Sequence, residues 1–422
     1  MNSREIIKKA LNFEKTDKLP VDFGSTFITG ISASIISKLR DFYGLDNKIP
    51  VKIIEPLQLL GEIQEDLKKI LGTDCIEIWG IKNIFGFNND VESPGWKEWE
   101  LFDGTPVMVP AMFNTENETK GGVYQYPEGD KSLDPSGYIP KGGFYFDAII
   151  RQKPINDNKL NVEDNLEEFS LISDDDLEYY RKRVDFLYKN TEYAISGTFG
   201  GMSFGDVSVV PATFLREPKG IRDITEWYVS LLKRKNYIFE VFNRQCETAL
   251  KNLERIYQAV SDKISVIYIT GTDFGTQNGP FISNDLYREL FKSFHSKIND
   301  WIHKNTQWKT FIHSCGGIEP LIGEFISAGF DILNPMQFSA KGMDIIKLKE
   351  KYGNKIVFWG GGVDTQKTLP FGTMDEVKIE VLNRIKILRQ GGGFVFSPIH
   401  NIQAKIPIEN VVAMIEVVKQ FK

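Results

Sequence analysis

Eight short runs of apolar and β-branched residues recur along this 422-residue chain, and most gaps between them carry a helical pattern. The runs lie at residues 20–24, 75–79, 193–197, 265–269, 309–313, 331–334, 355–359 and 393–397. Runs this short, bounded by turn formers, read as buried strands. Apolar residues spaced three and four apart mark helices over 31–43, 63–71, 176–188, 284–303, 318–328 and 376–388. Residues 224–260 have room for a helix pair, and 410–421 supply a closing helix. This alternation predicts an α/β fold, a (β/α)8 TIM barrel with an N-terminal helical leader, spanning 1–422 as a single domain. A doubly wound sheet is the competing fold. It normally carries a glycine fingerprint after its first strand, and Gly24-Ser25-Thr26-Phe27-Ile28-Thr29-Gly30 does not match one.

Residues 81–168, after the second strand, break the alternation. They are rich in Gly, Pro, Asn and aromatics, as in Gly95-Trp96-Lys97-Glu98-Trp99 and Gly121-Gly122-Val123-Tyr124-Gln125-Tyr126. Alternating aromatics between turn dipeptides predict short hairpins. An insertion there lies over the C-terminal mouth of a barrel, where it serves as a lid, a dimer contact or a surface decoration.

Charge and cysteine usage narrow the function classes. Against 51 Lys and Arg stand 57 Asp and Glu, a net charge of −6, which argues against a nucleic-acid surface. No run approaches the roughly 18 apolar residues of a membrane span. The first residues mix charges into a helical pattern and lack the apolar core of a secretion signal. Three cysteines make no disulfide framework, so a reducing cytoplasm is the expected compartment.

Barrel enzymes build their sites from strand ends and the loops that follow. Polar residues at such places are Asp273, His313 with Cys315, Asn334 with Gln337, Gly360-Gly361-Gly362-Val363-Asp364, and His400 with Asn401. Residues i and i+2 of a strand share a face, so the imidazole of His313 and the thiol of Cys315 project together. Both are zinc ligands, and a catalytic zinc takes three protein ligands and keeps a fourth position open. His400 is the natural third ligand and Asp273 a further oxygen donor. The same pattern also fits a packed thiol beside a hydrogen-bonded imidazole. His295 and His303 fall in the 284–305 helical run and read as packing or surface residues; Cys75 and Cys246 read as small hydrophobes. The three glycines at 360–362 suit either a close ligand approach or a tight turn.

Several of these motifs resemble the uroporphyrinogen decarboxylase superfamily. They are Lys18-Leu19-Pro20-Val21-Asp22-Phe23-Gly24, Gly271-Thr272-Asp273-Phe274-Gly275-Thr276-Gln277, His313-Ser314-Cys315-Gly316-Gly317-Ile318, Phe358-Trp359-Gly360-Gly361-Gly362-Val363-Asp364 and Phe396-Ser397-Pro398-Ile399-His400-Asn401. The resemblance implies the same barrel and two possible chemistries. The decarboxylase branch grips substrate carboxylates with an Arg-Gln-Ala-Gly-Arg segment after the first strand. Here that region reads Ser25-Thr26-Phe27-Ile28-Thr29-Gly30, with no arginine from there until Arg40. The branch's Phe-Ser-Asp motif belongs near Trp79-Gly80-Ile81, which holds no aspartate.

The zinc-dependent methyltransferase branch, which works with corrinoid (cobalamin) proteins, carries the His-x-Cys pair seen at His313 and Cys315. Its third ligand is commonly a cysteine close to where His400 stands here. The resemblance implies zinc on His313, Cys315 and His400, with Asp273 and His400 catalytic and Asn334, Gln337, Asp364 and Asn401 binding substrate. The reaction expected is methyl transfer between a small thiol, methyl ether or amine and the corrinoid of a partner protein, and family habit suggests a homodimer. The alternative is a metal-free carboxy-lyase acting on a tetrapyrrole or other acid.

Overall fold

The computed structural model describes residues 1–89 and 95–422; residues 90–94 of the expected 81–168 insertion lie outside the described residues. Seven parallel strands form one sheet: β1 (Cys75–Ile78), β2 (Ala194–Gly197), β3 (Val266–Thr270), β4 (Lys309–His313), β5 (Ile332–Asn334), β6 (Val357–Trp359) and β7 (Phe394–Val395). They are hydrogen-bonded in chain order, each to the next.

The eighth expected run, 20–24, is a single bridge rather than a strand. Val21 pairs with Phe396 in parallel, Asp22 N donates to Phe396 O, and Phe396 N donates to Pro20 O. On its other side Asp74 N donates to Val21 O. The segment therefore bonds to both edges of a curled sheet, which is the arrangement of a TIM-barrel-like fold. It stays short because Pro20 has no N–H to donate and Gly24 turns the chain at φ +88°.

A compact plug fills the sheet's interior. Val266, Phe311, Ile332, Val357, Trp359 and Val395 pack with Ile7, Ala10 and Leu11 of the N-terminal helix, Ser3–Leu11. That helix starts on a capping box in which Asn2 accepts from Glu5 N and Glu5 bonds back to Asn2 N. Its buried face of Ile6, Ile7, Ala10 and Leu11 lies against β1, β2 and β7. Inside the curl, Trp359 Nε1 donates to the fully buried Asp22 carboxylate at 2.8 Å.

The outer helices fall where periodicity placed them, among them Ala33–Phe42, Glu65–Leu71, Asp174–Asn190, Glu319–Ser327, Met374–Leu388 and Ile408–Lys419. The 224–260 stretch is a helix pair, Ile224–Lys233 and Lys235–Val260. The run from 284 holds one turn of π-helix, Arg288–Lys292, between Asn284–Tyr287 and Ser293–Asn305.

Two further sheets were only partly foreseen. Hairpins do occur after β1: Trp96–Glu100 pairs antiparallel with Pro106–Pro110, and Thr115–Asn117, Val123–Gln125, Gly137–Ile139 and Asp147–Ala148 form a meander. The first hairpin is completed from outside the 81–168 stretch, because Pro106–Pro110 pairs in parallel with Val51–Glu55. That strand alternates buried and half-buried residues, a period-two pattern in a stretch the sequence reading left unassigned.

Candidate metal centre

Strand ends deliver the chemistry to one place. β4 ends at His313, and β5 runs beside it so that His313 stands level with Asn334. The Asn334 side chain is held from one side, its Nδ2 donating to Trp359 O at 2.8 Å. Its Oδ1 is thus an acceptor, and it lies 2.6 Å from His313 Nδ1. This assigns the proton of the neutral imidazole to Nδ1 and leaves the Nε2 lone pair free. Nε2 faces Cys315 Sγ at 3.2 Å.

His400, in the loop after β7, brings its ring to 5.4 Å from that of His313. One ligand atom from each of His313, Cys315 and His400 falls within 4.8 Å of the others. A tetrahedral zinc with ordinary Zn–S and Zn–N lengths separates sulfur from nitrogen by about 3.6 Å. The donor set and its spread therefore fit a zinc ion. The bond from His313 Nδ1 to Asn334 is the outer support that metal-bound imidazoles usually have.

Burial shapes the ionisation of these groups. It lowers His313 to about 4, against the Asn334 bond, and lowers His400 to about 4, with His313 adding to the effect and Asp273 opposing it. Burial and then Asp273 push the Cys315 thiol well up. A neutral thiol beside two neutral imidazoles is what a cation of charge two would convert, by releasing one proton, into a bound thiolate.

Asp273 accepts from Cys315 N at 2.6 Å and stands 3.9 Å from His313 Nε2. Burial raises its pKa, with the Cys315 amide and His400 opposing.

Two cavities meet at this cluster. The larger, about 440 Å³, is lined by His313, His400 and Asp273 on one side and by Glu55, Trp79 and Asp206 on others. The smaller, about 250 Å³, is lined by Cys315, Gly316, Gln337, His400 and Asn401, together with Gln366. His400 lines both, so the cluster forms part of each wall.

The remaining expected site residues take different places. Gln337 lines the smaller cavity while its Oε1 accepts from Gly316 N at 2.7 Å. Asn401 lines it too, its Oδ1 accepting from Gly30 N and its Nδ2 donating to Phe27 O and Gln58 Oε1. Asn334 lines neither of these cavities and contacts His313 instead. Asp364 also lines neither; its Oδ1 accepts from Gln366 N and Lys367 N and fixes the turn after β6.

The glycine run beside Asp364 is a packing requirement. Gly360 and Gly361 both have φ +88°, and a Cβ on Gly360 would stand 2.9 Å from Asn334 Nδ2. His295 is buried against Tyr287, and His303 pairs with Asp331 at 2.7 Å, both away from the cluster.

Sequence reasoning missed Glu55 and Asp206. Glu55 ends the unassigned strand Val51–Glu55; Asp206 sits in 198–223, a connection without helix or strand. The length of that connection was itself a signal, since long structureless loops inside a domain are commonly functional.

A parallel, curled α/β sheet with polar ligands gathered at the C-terminal ends of its strands is the organisation of a barrel enzyme. The sequence model described as uroporphyrinogen decarboxylase (URO-D) matches residues 143–421, about two-thirds of the chain, and the protein belongs to that family. Among solved structures it is similar to a methyltransferase from Methanosarcina mazei, at 16% identity and a TM-score of 0.55, over 100% of this chain and 99% of that one. That likeness is one of fold. The search of curated proteins returned no match. No helix among the described residues is long and apolar enough to cross a membrane.

Proposed function

We propose that this protein is a zinc-dependent methyltransferase that moves a methyl group between a small substrate and the corrinoid of a partner protein. The observation that carries this reading is the ligand cluster: two nitrogens and one sulfur within 4.8 Å at the wall of two cavities. A transfer between two partners needs room at the reacting centre for both, and the two cavities that share His400 support this reading. The methyltransferase fold likeness agrees with this.

His313, Cys315 and His400 would hold the ion, and Asn334 holds His313 in the tautomer that can ligate. When bound, zinc supplies a Lewis acid with an open position, which lowers the pKa of a substrate thiol or polarises a methyl ether or amine. Asp273, 3.9 Å from His313 Nε2 and on the wall of the larger cavity, would take or return the substrate's proton. Gln337 and Asn401 are buried in the wall of the smaller cavity with their amides bonded to the protein, and would shape that wall.

Metal analysis tests the reading directly. Purified protein is expected to carry about one zinc per chain, and Cys315→Ala to lose both the zinc and methyl transfer to added cob(I)alamin. Full activity in Cys315→Ala overturns the proposal. Metal-free protein that releases carbon dioxide from a carboxylic acid would instead establish the lyase reading, with Asp273 and His400 handling protons.

A further inference from the structure

The larger cavity has a charge character that the metal cluster does not use. Three carboxylates line it: Glu55, Asp206 and Asp273. Among the described residues the basic side chains on its wall are Lys82, which is exposed at the rim, and the two imidazoles of the metal cluster, His313 and His400. The rest of the lining is rich in aromatic faces, namely Phe27, Trp79, Phe199, Phe214 and Tyr268.

The two carboxylates away from the metal cluster are both built as acceptors. Glu55, 8% exposed, accepts from Leu57 N at 3.0 Å and Gln58 N at 2.7 Å. Asp206, 4% exposed, accepts from Ser208 N and Ser208 Oγ through Oδ1 and from Gly271 N through Oδ2. Neither has a cationic side chain bonded to it among the described residues. Burial raises the pKa of both, Glu55 to about 7, against the bonds that each accepts.

A second feature points to a ligand independently. Tyr268 is 97% buried (3% exposed), lines the same cavity, and its hydroxyl has no hydrogen-bond partner among the described residues. A buried, unpaired phenol is costly, and a ligand that reaches it supplies the missing partner.

We propose that this cavity binds an organic ammonium ion, with Glu55 and Asp206 neutralising its charge, the aromatic rings facing its alkyl groups, and Tyr268 meeting a polar atom of the same molecule. Aromatic faces attract alkylated ammonium groups, and they do so more strongly out of water. This names the substrate class for the methyl transfer proposed above and rests on that reading, while the binding it requires is measured without turnover. The C–N bond of an N-methylammonium would break as the cobalt(I) of the partner's corrinoid takes the methyl cation, and the neutral amine would leave.

The test compares three ligands of one shape on the wild-type protein by calorimetry near pH ~8, where Glu55 is ionised. They are choline, the neutral isostere with a tert-butyl group replacing trimethylammonium, and the matching tert-butyl carboxylate. Choline is expected to bind about tenfold tighter than the neutral isostere or better, and the carboxylate weakest. Glu55→Gln and Asp206→Asn should each shrink the preference for choline severalfold while leaving the zinc content intact. Equal or tighter binding of the neutral isostere or the carboxylate overturns the proposal, as does absence of choline binding at millimolar concentration. Because wild type alone decides the ligand order, a variant that misfolds does not remove the test. Zinc content and methyl transfer are scored separately, so failure here is distinguishable from failure of the methyltransferase reading.

Discussion

Asn334 illustrates how much of the candidate centre is set by one uncharged side chain. It touches His313 on one side and the Trp359 carbonyl on the other. Replacing it with alanine removes the acceptor that fixes the His313 tautomer, without touching a ligand atom. Zinc affinity of Asn334→Ala is therefore expected to fall about 10–100-fold, as when outer-shell partners of metal ligands are lost. Competition with a chromophoric chelator measures this, and an unchanged affinity would mean that packing alone orients the ring. From the sequence, Asn334 stood out as a polar residue at a strand end and was expected to bind substrate. Its register beside His313 is a property of the β4–β5 pairing, which no local pattern encodes. The candidate ligands were legible because His313 and Cys315 sit two apart at the end of an apolar run and His400 lies three residues beyond another. Glu55 and Asp206 had no such frame around them.

At the scale of elements, the seven sheet strands and most helices were legible because each carries its own apolar period. What stayed hidden was pairing over distance. Val51–Glu55 finds its parallel partner in Pro106–Pro110, so neither segment signals the other locally. The 198–223 connection, which carries Asp206, gains its shape from outside as well. Near its end Arg222, 1% exposed, makes a two-pronged bond to Glu168, with Nη1 at 2.7 Å and Nη2 at 3.0 Å. Its Nε and Nη2 also donate to Lys219 O and Asp164 O. Glu168→Gln would leave a buried guanidinium without its nearest counter-charge, and Glu167, 3.7 Å away, compensates only in part. The expected cost is about 3 kcal/mol in urea unfolding, toward the lower end for a broken buried pair. A cost under ~0.5 kcal/mol, typical of exposed pairs, would mean the loop is held by its other contacts. The hairpins after β1 are present; the part of the 81–168 stretch that lines the larger cavity, with Lys82, Asn83, Ile84 and Asn89, comes before them in the chain.

The molecule as a whole separates stability from chemistry along the barrel axis. The ligand cluster, both cavities and the expected site residues lie at the C-terminal ends of the strands. The opposite end is closed by the N-terminal helix, whose Ile7 is fully buried among Val266, Phe311, Val357 and their neighbours. Seven strands bonded in sequence, with Val21 bridging both edges, make the sheet one cooperative body, so damage at the closed end lowers the stability of everything above it. It should leave local geometry at the mouth intact, because His313 is oriented by Asn334 rather than by the plug. Ile7→Ala removes three methyl-sized groups from a sealed interior and is expected to cost about 3 kcal/mol of global stability. Zinc affinity in the same variant should stay within about twofold of wild type, well inside the tenfold that 1.4 kcal/mol represents. Thermal melts and chelator competition on one preparation measure both quantities. If zinc affinity falls in step with stability, strain at the base is reaching the mouth through the packed interior layer of Phe311 and Trp359, and the division between a stabilising end and a reactive end does not hold for this barrel.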